Sequence, residues 1–209
     1  MKKKKQNFGL DVQETLLFRR LDTPARIQDY LNSIPSNPEP DGDTCRSPRY
    51  VIRTNTAHCI EGAMFAAAVL WYHGRRPLLL DLKANDHDAD HVVALFKEEG
   101  RWGAISKVNH GVLRYREPVY RDLRELAMSY FHEYFNNDTG KKTLRSFSHA
   151  FDLSRFGAAW ITAEGDLWEI ANSLDESRHE KLLTRGMISR LRKAEPIEIE
   201  LGKILQYKR

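Results

Sequence analysis

The stretch Thr56-Ala57-His58-Cys59-Ile60-Glu61-Gly62-Ala63-Met64-Phe65-Ala66-Ala67-Ala68-Val69-Leu70-Trp71 decides how the rest of the chain is read. From Ile60 to Trp71 the only charged residue is Glu61, and alanines are interspersed with Met64, Phe65, Val69 and Leu70, so no polar face remains for water. A helix that is apolar all round belongs in the middle of a domain. His73-Gly74 closes it, because glycine takes a left-handed cap conformation without steric cost. Cys59 falls in the first turn. There, unpaired N–H groups and the positive end of the helix dipole favour a thiolate. A nucleophile placed there needs a base from elsewhere in the chain.

Downstream the period changes. Residues 77–82 form a short apolar run, residues 91–96 (His91-Val92-Val93-Ala94-Leu95-Phe96) a second, and residues 101–106 (Arg101-Trp102-Gly103-Ala104-Ile105-Ser106) a third, with a further candidate strand at 111–115. Short turns between such runs predict an antiparallel meander. A turn at residues 97–100 pairs Phe96 with Arg101 and sets His91 opposite Ser106, and opposed residues share a face. If that face packs on the helix, Cys59, His91 and Ser106 converge as a thiol, a base and a group that orients the base.

Upstream, residues 12–20 read as a helix and Thr23-Pro24 starts another, with threonine as N-cap and proline at the first helical position. Residues 36–47, which include Cys45, are a loop, and residues 49–52 read as a short strand or extended approach to the cysteine helix. Toward the other end, residues 118–134 carry helical periodicity. A helix capped by Thr162 is preferred there over a hairpin of residues 160–169, and residues 184–193 read as helical. The fold class expected is α+β. A central helix carries Cys59 against a small antiparallel sheet, with further helices at both ends.

The organisation expected is a basic, disordered tail over residues 1–10 and one domain over 11–209. Its core lies at 48–115, and a helical extension covers about 118–209. The formal net charge of +4 equals the four lysines at positions 2–5, so the excess charge belongs to the tail. With no basic stripe elsewhere, no nucleic-acid partner is expected. There is no apolar span for a membrane. Two cysteines, neither in a CxxC, make no disulfide framework, and a reducing, cytoplasmic setting is the default.

Taken together, the cysteine at the start of a buried helix, the strand after it, Asp90-His91-Val92-Val93-Ala94-Leu95-Phe96 and Gly100-Arg101-Trp102-Gly103-Ala104-Ile105-Ser106 resemble the transglutaminase-like superfamily, whose fold is papain-related. The resemblance covers about residues 48–115. It implies Cys59 as nucleophile, His91 as base and Ser106, four residues after Trp102, at the third position, where the family usually has aspartate. The aromatic usual two residues after the histidine is Val93 here. The activity implied is acyl transfer or hydrolysis of an amide or peptide bond, on a peptide, protein or small amide substrate, with no cofactor. The Cys59 N–H is a candidate oxyanion donor, Asn55 a second, and Trp102 a wall of the acyl site. His58 is set aside as a base, because adjacent helical residues do not face one another.

Two rival readings accompany this one. The chain is a non-catalytic binding module that keeps the fold, with Ser106 as the discriminating departure. Or it is a metal-dependent hydrolase built on the run Asp86-His87-Asp88-Ala89-Asp90-His91. That run fails as a calcium loop, with His91 at the sixth position and Lys97 at the twelfth, and no metal is expected.

Overall fold

The computed structural model describes residues 8–40 and 42–208. The lysines of the expected tail lie outside the described residues. Phe8, also within that expected tail, is buried against the rings of Trp71 and Tyr72.

Both expected N-terminal helices form. In α1 (Val12–Arg20), Asp11 caps the first turn and Glu14 reaches back to the Asp11 N–H. In α2 (Pro24–Ser33), the Thr23 hydroxyl accepts from the Arg26 N–H. A loop then leads to α3 (Pro48–Thr54), a helix where a strand or extended segment was expected. The cause is the same signal that starts α2: Ser47 caps through its hydroxyl and Pro48 occupies the first helical position. Asn55 ends α3 in the left-handed conformation at φ 54°. The apolar stretch forms α4 (Cys59–Tyr72), buried from Glu61 to Leu70.

The sheet begins with β1 (Leu78–Lys83), β2 (His91–Glu98) and β3 (Arg101–Ile105), an antiparallel meander as read. The turn between β2 and β3 is two residues long, not four. Glu99 and Gly100 both have positive φ, the conformation of a tight hairpin whose twist matches its strands, and Glu98 pairs with Arg101. The expected register is therefore wrong by two residues. Since side chains alternate with period two, a shift of two leaves every residue on its face.

The fourth strand lies later than expected, at β4 (Arg116–Tyr120), and takes Pro118 out of the predicted helix. It is the edge of the sheet, where a proline removes no ladder hydrogen bond that a neighbour needs. The helix behind it starts at its own cap, Asp122, as α5 (Leu123–Phe131). The region beyond is not a purely helical extension. It returns β5 (Ser146–Ser148), β6 (Phe151–Asp152) and β7 (His179–Lys181) to the sheet, whose order is β4-β3-β2-β1-β5-β7 with β6 also on β1. Single turns of 3-10 helix at Leu153–Phe156 and Ala159–Ile161 intervene. The helix expected at Thr162 begins at Trp168 instead, as α6 (Trp168–Asp175). The last two helices, α7 (Arg185–Ile188) and α8 (Pro196–Lys203), are short.

This is an α+β architecture, with α4 packed on β1 and β2. One face of the sheet, with Leu79, Val92, Ala94, Phe96 and Ile105, joins α4 in the larger apolar cluster. The other, with Leu80, Leu82, Val93, Leu95 and Ala104, joins α5 in a second. No helix of the described residues is long and apolar enough to cross a membrane.

Candidate active site

Cys59 is the first residue of α4, and His58 is its N-cap, with extended backbone at φ −93° and ψ −173°. Glu61 fixes this start by accepting from the His58 N–H at 3.0 Å. Its carboxylate is fully buried, and it also accepts from the Thr44 hydroxyl at 2.8 Å, the Arg46 N–H at 3.0 Å and the Asn37 amide at 3.2 Å. The loop before α3 is thus folded beneath the positive end of α4 around one carboxylate. Both cysteines are free. Cys45 is buried, and burial, with Glu61 and Asp166 nearby, pushes its thiol up to about 12. Cys59 is half-buried and opens on the cleft.

His91 opens β2 opposite Leu82 and so belongs by alternation to the α5 side of the sheet, not to the face that α4 covers. It meets Cys59 at the cleft that both residues line. His91 Nε2 lies 2.8 Å from Ser106 Oγ, so the predicted pair holds despite the register error. The Ser106 hydroxyl donates its single proton to the Leu113 carbonyl at 2.6 Å. Its oxygen therefore accepts from His91 Nε2–H, which leaves Nδ1 as the ring nitrogen for the sulfur.

Two supports hold this relay. The Gln28 amide of α2 clamps the Ser106 backbone, donating to its carbonyl at 2.8 Å and accepting from its N–H at 2.9 Å. Leu113 has φ 61°, a strained left-handed conformation for a side chain of its size. Its N–H is held by Glu133 at 2.8 Å, and Glu133 in turn pairs with Arg116 at 2.8 Å.

The sulfur is flanked by two imidazoles. Burial alone would raise the Cys59 thiol, but hydrogen bonds from His58 and His91, reinforced by their charges, lower it to about 5. For His58, burial opposes protonation. Its hydrogen bond to Cys59, the charges of Cys59 and Glu61 and the Thr44 carbonyl raise it to about 9. Setting His58 aside assumed that it lay on the helix. As an N-cap it does not, and its ring hydrogen-bonds Cys59. The signal was present in the sequence, since a glutamate three residues on marks the capping position.

Cys59, His58 and His91 line a cleft of about 770 Å³, together with Lys107, Leu113 and Tyr134. Lys107 carried no signal in the sequence. Its buried amine donates to the Leu31 and Ile34 carbonyls at 3.0 and 2.6 Å, at the end of α2, and burial, with the charge of Arg114, lowers it to about 8. Neither accessory candidate reaches the cleft lining. Asn55 is exposed at the end of α3, its left-handed backbone spent on the cap, and Trp102 packs with the second apolar cluster under Lys97.

The Asp/His run is a turn. Asp90 accepts from the Ala84 N–H at 2.7 Å, Asp88 takes the Thr143 hydroxyl, and His87 is exposed. It does not bring His87 and His91 together as ligands. Among the described residues, the carboxylates close enough to share a hard cation are those of Asp81, Asp90 and Asp175. Lys83 pairs with Asp175 there, and His179 donates to Asp81 at 3.0 Å.

The arrangement can ionise a thiol at neutral pH and offers it a base whose far nitrogen is fixed by a neutral acceptor. No protein-family model matches the chain, and no curated protein matches it.

Proposed function

We propose that this chain is a thiol enzyme of the transglutaminase-like kind, which transfers or hydrolyses an amide-borne acyl group through Cys59, His91 and Ser106. The observation that carries this reading is the relay from the Leu113 carbonyl through Ser106 and His91 to a sulfur at the start of a buried helix. Each link has a chemical use. The Cys59 sulfur attacks the carbonyl carbon, and its proton travels on His91 Nδ1. The tetrahedral oxyanion forms beside the Cys59 N–H, which at the first helical position has no partner within the helix. As the C–N bond breaks, His91 gives the proton to the leaving amine, and a thioester remains on Cys59. Water or a second amine, deprotonated by His91, then releases the acyl group and restores the thiol.

The substrate class this supports is a peptide, a protein side-chain amide or a small amide that fits the cleft. The reading is tested with a peptide-like electrophile at neutral pH, followed by mass spectrometry of the adduct. One equivalent on Cys59 is the expected result, absent in Cys59→Ala. Turnover of amide substrates in His91→Ala should fall by about 100-fold or more, the usual worth of a positioned general base. A Cys59 that reacts no faster than a free thiol in solution, with His91→Ala indistinguishable from wild type, sinks the enzyme reading and leaves a binding module.

A further inference from the structure

We propose that His58 is the standing cation of this site: held protonated by Glu61 and Glu39, it keeps Cys59 as a thiolate and supplies from one flank the charge stabilisation that Ser106 does not supply from the other. This rests on Cys59 being the nucleophile, as argued above, and adds a residue and a division of labour to it.

On the His91 flank, the orienting group is a hydroxyl whose proton is committed to Leu113, so it brings no negative charge to stabilise an imidazolium. On the His58 flank two carboxylates are present. His58 Nε2 lies 2.8 Å from the Thr44 carbonyl, 3.3 Å from Glu39 Oε1 and 3.4 Å from Glu61 Oε1. The carbonyl can only accept, so Nε2 carries a proton, and the other ring nitrogen is left for the Cys59 sulfur. Glu61 is fully buried, and its oxygens accept from Asn37, Thr44, Arg46 and His58. The result is a carboxylate, imidazolium and sulfur in series, built from residues 58, 59 and 61 at the start of α4.

The protons balance. His58 takes its extra proton from solvent, and Glu61 and Glu39 stay beside it when the sulfur's charge is spent in the thioester. The proton that moves is the one His91 holds once Cys59 has ionised, and it goes to the leaving amine. The remaining titratable groups around the pair are Tyr134 and Cys45, which feel the sulfur's charge, and Lys107, Asp88, Asp90, His110, Glu133, Tyr207 and Lys208 in the cleft wall. None of these hydrogen-bonds His58.

The test is a titration of the Cys59 thiolate by its ultraviolet absorbance in the full chain, with Cys59→Ser as the blank. Wild type should ionise near pH 5. His58→Asn should move the midpoint up by about two pH units, a roughly hundredfold loss of thiolate at acidic pH. Glu39→Gln, at a partly exposed position where the amide oxygen can still accept from Thr44, should move it up by a smaller amount. His91→Asn should also move it up, because its hydrogen bond and charge share in the lowering, and should in addition lose acyl transfer. If folded His58→Asn and Glu39→Gln both titrate as wild type, His58 is only a helix cap and the proposal is overturned. A wild-type Cys59 that titrates as an ordinary cysteine overturns the nucleophile reading along with it, so the two failures are told apart.

Discussion

The Ser106 hydroxyl gives its one proton to the Leu113 carbonyl, and this decides what the third position can be. An aspartate there would set a carboxylate against a carbonyl oxygen now 2.6 Å from the hydroxyl. Two acceptors cannot share that contact, and Leu113 is pinned in its left-handed conformation by Glu133. Ser106→Asp is therefore predicted not to rescue or improve the site. Ser106→Ala removes one hydrogen bond from His91 Nε2 and should slow acylation of Cys59 about tenfold, the worth of about 1–1.5 kcal/mol. Ser106→Asp should react no faster than Ser106→Ala, because it adds a buried charge facing the wrong dipole. The measurement is the rate of Cys59 modification by a peptide-like electrophile in the three proteins; an aspartate variant faster than wild type would show that charge, not the Leu113 contact, limits the site. At this scale the sequence was legible where chemistry and spacing coincide, at Cys59, His91 and Ser106. It was not legible where a side chain turns off its element, as His58 does at the N-cap, or where backbone groups matter, as at Leu113.

Helix α4 can bring Cys59 to His91 only because the end of β3 lies against it, and Gly62 sets that distance. A methyl group built on Gly62 would lie 2.4 Å from Lys107 Cβ and 2.9 Å from its Cγ. Those atoms are near the backbone and next to Ser106, so they cannot swing aside. Alanine is the better helix former by about 1 kcal/mol. Gly62→Ala is nevertheless predicted to destabilise the protein, by about 1–3 kcal/mol of overpacking, and to slow Cys59 labelling by moving Ser106 and His91. Urea unfolding together with the labelling rate checks both parts, and an alanine variant as stable and reactive as wild type would refute them. The elements legible in the sequence were those whose pattern outlasts local noise. The stretch from Ile60 to Trp71 could only be a buried helix, and three apolar runs with short turns could only be a meander. The two-residue register error did no harm because it preserved the face. The illegible elements were short or broke a rule locally. Helix α3 has seven residues, too few to show a period, although Ser47-Pro48 marked its start. Strand β4 carries a proline that only an edge permits, and β5, β6 and β7, of two or three residues, are specified by their partners rather than by their own sequence.

Across the whole molecule, the Arg49–Glu14 ion pair is among those that join segments distant in the chain. Arg49 of α3 donates to the Glu14 carboxylate of α1 through Nε at 2.7 Å and Nη2 at 2.8 Å, and reaches the Gly9 carbonyl at 2.8 Å and the Thr162 carbonyl at 3.4 Å. Glu14 is buried, so this pair ties the N-terminal helix and the 3-10 region to the helix that precedes α4. The hydrogen bonds from Arg49 hold the Glu14 carboxyl below its ordinary value of 4.5, against the opposing effect of burial. A group lowered on folding stabilises the native state above its unfolded pKa, and that contribution is lost as pH falls through the lowered, folded value. Glu14→Gln imitates the protonated side chain at every pH. At pH 7 it should cost about 2 kcal/mol, less than the ~3–5 kcal/mol of a fully buried pair, because a second carboxylate remains near Arg49. That carboxylate is Glu164, 3.8 Å from the guanidinium. As the pH is lowered below 4.5, wild type loses what the variant never had, and the two stabilities should converge. Urea denaturation of both proteins from pH 7 down to the acid limit of folding measures the difference directly. A gap that stays constant with pH would mean that Glu14 stabilises the fold by packing and shape rather than by its charge.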